Sequence, residues 1–133
     1  MRVEVYWNLH KRLFSVRALE GENKGRVIQH AYKVKLEEAS FVVQPGGRER
    51  VLREGKKNVH AFVRGRLAPY IEGPRRSYPV TYNPYKYDSF VQAETEKPVR
   101  WSPEVYMDVM LGGGKPYPRI QGVDHRMFIR GWT

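Results

Sequence analysis

At 133 residues and 15.6 kDa the chain is the size of one ordinary domain, and 24 Lys and Arg against 14 Asp and Glu leave it at +10. Hydrophobic residues at 41% supply a core, which excludes extensive disorder despite a mean hydropathy of −0.66. The absence of cysteine excludes disulfides, thiol catalysis and Cys-based zinc sites, and no apolar run approaches the roughly 18 residues of a membrane span.

In chain order, Val3, Val5 and Trp7 alternate with Glu4, Tyr6 and Asn8, which predicts a strand. Phe14, Val16 and Ala18 alternate with Ser15 and Arg17 in a second, so residues 8–12 are the hairpin connection. Residues 19–25 are polar and hold two glycines, a loop. Residues 26–36 are the longest alternating stretch, with Ile28, His30, Tyr32, Val34 and Leu36 on one face. Phe41, Val42 and Val43 form a short buried strand. Pro45 suits a first helical turn and Gly55 a stop, so one short basic helix lies between them.

Val59, Ala61, Val63 and Leu67 then alternate with His60, Phe62, Arg64 and Arg66. Residues 68–87 carry Pro69, Pro74, Pro79 and Pro84, which forbid a helix and disfavour central strands. Residues 89–93 predict a strand. Ser102, Pro103 and Glu104 look like a helix start, with Val105, Tyr106, Val109 and Met110 as the apolar face and Gly112–Gly114 as the stop. Residues 127–129 predict one last strand. The expectation is a single α+β domain over residues 1–133: five to seven antiparallel strands as a curved sheet or partly open barrel, with two short helices.

The charge is uneven, with +8 in residues 1–67 and +2 in residues 68–133. Arg48, Arg50, Arg53, Lys56, Lys57, Arg64 and Arg66 face only Glu49 and Glu54 within residues 48–66. Concentrated positive charge attracts polyanions, and each neutralised phosphate releases a counterion, so nucleic acid, RNA or DNA, is the expected partner. A basic surface that only aids solubility would give the same counts.

No His/Asp/Glu cluster has metal-ligand spacing, there is no Walker loop, and no cofactor is expected. His60 shares a predicted strand face with Arg64 and Arg66. An imidazole moves protons near pH 7 and a guanidinium holds phosphate, which is what metal-independent phosphodiester cleavage needs. His10, beside Lys11 and Arg12, would be the second proton carrier. A His60 packed against a neighbour, with solvated arginines, is the simpler alternative. His30, on an apolar register, reads as a buried, hydrogen-bonded histidine, and His125 as a loop residue. Tyr82 and Tyr85, among the tyrosines of residues 70–87, are either base-stacking platforms or rings that order a Pro-rich loop. Trp101 would staple the second helix.

The stretches VYWNLHKRLFSV (5–16), GRVIQH (25–30) and KNVHAFVRG (57–65) give the first half a further meaning. They resemble small proteins encoded by tailed bacteriophages. The resemblance implies phage origin and action in the cytoplasm of a bacterial host. It brings no named activity and no functional residue. The N-terminus, MRVEVYWNLHKR, lacks the apolar stretch of a signal peptide, in keeping with that compartment. Three functions follow as expectations: a nucleic-acid-binding accessory protein, a metal-independent nuclease using His60, or an inhibitor of a host or defence protein.

Overall fold

The first alternating stretch forms the hairpin it predicts: β1 (Arg2–Asn8) pairs antiparallel with β2 (Leu13–Ala18), setting Val5 opposite Val16 and Trp7 opposite Phe14. In the computed structural model β3 (Val27–Ala31), β4 (Lys33–Val43), α1 (Pro45–Glu54) and β5 (Ala61–Ala68) follow. β6 (Val80–Thr81), β7 (Val91–Gln92), β8 (Trp101–Asp108), β9 (Tyr117–Gly122) and β10 (His125–Arg130) complete the chain. The structure describes residues 1–8, 10–56, 58–70, 80–92, 94–108, 117–122 and 125–130, with side chains described as far as residue 107.

The strands make one open sheet in the order β3-β2-β1-β5-β4-β8-β9-β10-β6-β7, antiparallel except where β10 runs parallel to β6. Among the described residues it does not close into a barrel. Its inner face carries Val3, Val5, Phe14, Val16, Val63, Leu36 and Val105, all fully buried. Each such side chain contributes about 1.5–3 kcal/mol on leaving water. Tyr82, Phe90 and Val99 join the same core, with the Phe90 ring 5.1 Å from that of Phe41 and 5.2 Å from that of Tyr82. Val80, Tyr82, Phe90 and Val99 therefore bring their segments against the inner face.

Several expectations are corrected. Residues 26–36 are not one strand: β3 pairs with β2, while β4 starts at Lys33 and pairs with β5 and β8. His30 is consequently exposed rather than buried, its Nδ1 3.0 Å from the Ser15 hydroxyl. Nor do residues 101–108 form a second helix. They are β8, where Val105 faces Leu36 and Met107 faces Val34. Alternating Val105 and Met107 on the core, with Glu104 and Tyr106 outside, outweigh a local cap signal, because pairing on both sides satisfies the backbone. Pro103 is tolerated because it lies opposite Glu38, at the irregularity where β4 is bulged and Glu38 has φ 49°. Trp101 is no staple: it starts β8 with its ring exposed. His125 is no loop residue either, since it opens β10 opposite Gly122.

The same bulge explains Gly65. A Cβ there would come within 2.9 Å of the Glu37 carbonyl and 3.1 Å of the Ala39 Cα. Helix α1 matches its expected limits. Pro45 takes the first turn, and Gly55, in the left-handed region at φ 68°, returns its N–H to the Val51 carbonyl at 2.8 Å. Val51 is the buried anchor of this helix.

Candidate nucleic-acid interface

Because α1 buries only Val51, its basic residues divide by helical position. Arg50, Arg53 and, just beyond the cap, Lys56 are exposed. Arg50 pairs with Glu54 one turn on, at 3.5 Å. Arg53 sits in the last turn, where the carbonyl end of the helix favours a cation. Arg48 turns inward: its Nε donates to the Tyr87 carbonyl at 2.8 Å and to the Pro84 carbonyl at 3.1 Å. It clamps the 83–87 turn to the helix. Lys57 lies outside the described residues.

The outer face of the sheet holds a second basic group. Glu4 is nearly buried, and it accepts from Arg64 Nε at 2.6 Å and pairs with Arg17 Nη2 at 3.0 Å. The Arg17 guanidinium also lies 5.3 Å from the Tyr6 ring centre and 5.7 Å from that of Phe62, with Arg64 6.0 Å from Phe62. Arg66 is half exposed and pairs with Glu38 at 3.4 Å and Glu37 at 3.9 Å. Further along the face Lys35 reaches Glu104 at 3.9 Å. Burial alone pulls the Lys35 pKa down, but the Tyr106 hydroxyl and Glu104 outweigh it, and the net direction is up.

His60 does not join these arginines. It precedes β5, is 2% exposed, and has both ring nitrogens engaged: Nδ1 lies 2.7 Å from the Asn58 carbonyl oxygen and Nε2 2.6 Å from the Tyr82 hydroxyl. Its other neighbour is Gly47 in the first turn of α1. His10 is exposed in the β1–β2 connection, where its backbone N–H donates to Asn8 Oδ1 at 3.1 Å. The structure thus brings His60, Arg64 and His10 into three separate settings.

Tyr82 is fully buried, so its ring is no platform for a base. Burial pushes its hydroxyl up to about 12. Tyr85 is 62% exposed, next to an Asn83 side chain that accepts its backbone N–H at 2.9 Å. Beside this turn a cleft of about 440 Å³ is lined by Arg48, Lys86, Tyr87 and Glu96 among others. Lys86 pairs with Glu96 at 3.0 Å, and Tyr87 donates to the same carboxylate. The Tyr87 hydrogen bond first, then Lys86, hold the Glu96 carboxyl below the usual range. Among the described residues no group of three His, Asp or Glu is placed to hold a metal, and no helix is long and apolar enough to cross a membrane.

Sequence reasoning gave Glu4 and Arg17 no role and gave Trp101 only that of a helix staple. Glu4 between Val3 and Val5 signals an outward carboxylate. That it lies between two arginines depends on β1 being central, flanked by β2 and β5.

Comparison with known proteins places the chain. The family model described as "Mycobacterium phage L5 gene 82 protein" matches residues 1–110, which take in β1 to β8 and α1. The "Gene 82 protein" of Mycobacterium phage L5 is 42% identical over 113 residues, covering 80% of this chain and 90% of that protein. No solved structure matches. The resemblance to phage proteins in the first half therefore extends through β8, and the chain belongs to the family of the Mycobacterium phage L5 gene 82 protein.

Proposed function

We propose that this protein is a nucleic-acid-binding accessory protein of the phage, acting in the host cytoplasm through its exposed basic surface. The observation that carries the reading is the set Arg50, Arg53 and Lys56, which the packing of α1 leaves in solvent on a chain of net charge +10. Arg48 leaves the proposed surface because its Nε is committed to two carbonyls. A nuclease built on His60 draws no support from that residue's surroundings: a buried ring with both nitrogens engaged cannot reach a phosphodiester.

The test is fluorescence anisotropy with labelled oligonucleotides over a series of salt concentrations. Replacing Arg50, Arg53 and Lys56 together by Ala should weaken binding and flatten the log–log salt slope by about 0.7–0.9 for each phosphate no longer neutralised. An unchanged slope removes α1 from the interface. Wild-type protein that binds no oligonucleotide at low salt ends the reading, and an inhibitor of a host or defence protein then takes its place.

A further inference from the structure

The strand registers set five outward residues in one line across the sheet. Arg17 on β2 is opposite Glu4 on β1, Glu4 is opposite Arg64 on β5, Arg64 is opposite Ser40 on β4, and Ser40 is opposite Trp101 on β8. Residues directly opposite in antiparallel pairs share a face. Neighbouring strands lie about 4.8 Å apart, so Arg17 and Arg64 are rooted about 10 Å from each other, and Arg64 and Trp101 likewise.

The line alternates in chemistry as well as in position. Glu4 is 7% exposed at its side chain, while Arg17 and Arg64 are 32% and 36% exposed. The carboxylate is enclosed and the two guanidiniums reach solvent, which leaves the trio at net +1. Both guanidiniums are held in place by Glu4 and by the rings of Tyr6 and Phe62, so little side-chain freedom remains to be lost on binding. Trp101, at 56%, is among the most exposed large apolar side chains of the described residues. Between it and Arg64 stands only the short side chain of Ser40, so the indole rises beside a shallow floor. Arg100, also exposed, precedes it.

We infer that this row is a binding site for single-stranded nucleic acid, one base stacking on Trp101 and the backbone phosphates meeting Arg64 and Arg17. The inference rests on the proposed nucleic-acid function and adds the strandedness of the ligand and a second contact surface. The chemistry selects the single strand. An exposed indole offers its face to an unpaired base, which every base can use, whereas a duplex keeps its base faces stacked inside. Fixed guanidiniums about 10 Å from their neighbours along one line follow a backbone crossing the strands, not a groove. RNA and DNA share this chemistry.

The test compares wild type, Trp101→Ala and Trp101→Phe with a single-stranded thymidine oligomer, its RNA counterpart and a duplex of equal length. Trp101 is exposed, so its replacement leaves the core intact. Trp101→Ala should lose about 5- to 150-fold in single-strand affinity, as expected for one base–aromatic stack, with Trp101→Phe restoring most of it. Quenching of the intrinsic tryptophan fluorescence by the oligomer should vanish in Trp101→Ala. A Trp101→Ala protein that binds single strands like wild type overturns the inference, and so does a wild type that prefers the duplex. Either result, with binding still weakened and its salt slope flattened in the Arg50, Arg53 and Lys56 variant, leaves the broader function standing. Absence of binding to all three ligands at low salt removes both.

Discussion

Two adjacent glycines in α1 should respond to the same substitution with opposite signs. Alanine at a helical glycine commonly adds about 0.4–1 kcal/mol, because the unfolded chain has less freedom to lose. Neither Gly46 nor Gly47 has a positive φ, so neither backbone resists a side chain. A Cβ on Gly46 meets nothing within 4 Å, so Gly46→Ala should realise the gain. A Cβ on Gly47 would lie well inside 3.0 Å of the His60 Cβ, which no real pair of carbons tolerates. His60 cannot easily retreat, since its ring is tied to Asn58 and Tyr82. Overpacking of this kind costs about 1–3 kcal/mol, more than the entropic gain. At about 3–5 °C per kcal/mol for a chain of this length, the two variants should differ in Tm by several degrees, Gly46→Ala above wild type and Gly47→Ala below. Thermal denaturation followed by circular dichroism reads the difference. Equal stability of the two variants would refute the packing of His60 under α1, and with it the argument that this imidazole is out of reach of a substrate.

Two further outcomes concern the contacts around that packing. Arg48→Ala should destabilise the fold by about 1.5–3 kcal/mol, the usual range for hydrogen bonds from a charged donor, while oligonucleotide affinity at a temperature where the variant is folded stays near wild type; urea titration and anisotropy check the two halves. Tyr82 has a folded-state pKa raised by burial to about 12 against an ordinary 10.0, so its neutral form stabilises the fold fully below pH 10 and this contribution is lost as pH rises toward 12. Stability by urea denaturation should therefore fall across that window, and Tyr82→Phe should flatten the fall while lowering stability at neutral pH by about 1–3 kcal/mol through the unsatisfied His60 nitrogen.

The local signals were legible where one stretch of chain decides the outcome. Pro45 and Gly55 bound α1 because capping depends on a few neighbouring residues. The β1–β2 hairpin followed from alternation on both sides of a short connection. Residues 101–108 misled for a physical reason: Ser-Pro-Glu is a sound helix start, but Leu36 and Val34 of β4 offer Val105 and Met107 a buried partner that no local reading contains. His60 misled in a similar way. Its alternation with Phe62, Arg64 and Arg66 holds from residue 61 onward, since β5 starts at Ala61 and His60 stays outside the strand. Tyr82 failed as a platform because a tyrosine in a Pro-rich segment can as well be the ring that closes the core. The row from Arg17 to Trp101 needs four registers between residues up to 61 positions apart, which no spacing in the sequence encodes.

Glu4 is where fold and proposed function pull in opposite directions. Its carboxylate fixes Arg64 and Arg17 in place, yet it is also the negative charge nearest to any phosphate they would hold. Glu4→Gln keeps the shape and leaves one oxygen to accept from Arg64, but removes the charge. Stability should fall by about 1.5 kcal/mol, the low end of the range for charged hydrogen bonds, because both guanidiniums reach water. Single-strand affinity should move the other way. The trio rises from +1 to +2, and an added unit charge near 4 Å in water is worth about 1 kcal/mol, roughly fivefold, at low salt. At 1 M salt the Debye length shrinks to about 3 Å and the gain should vanish. A stability loss with no change in affinity at any salt would place the arginine row outside the path of the ligand. A gain in affinity that persists at high salt would mean that Glu4 acts by shape and not by charge.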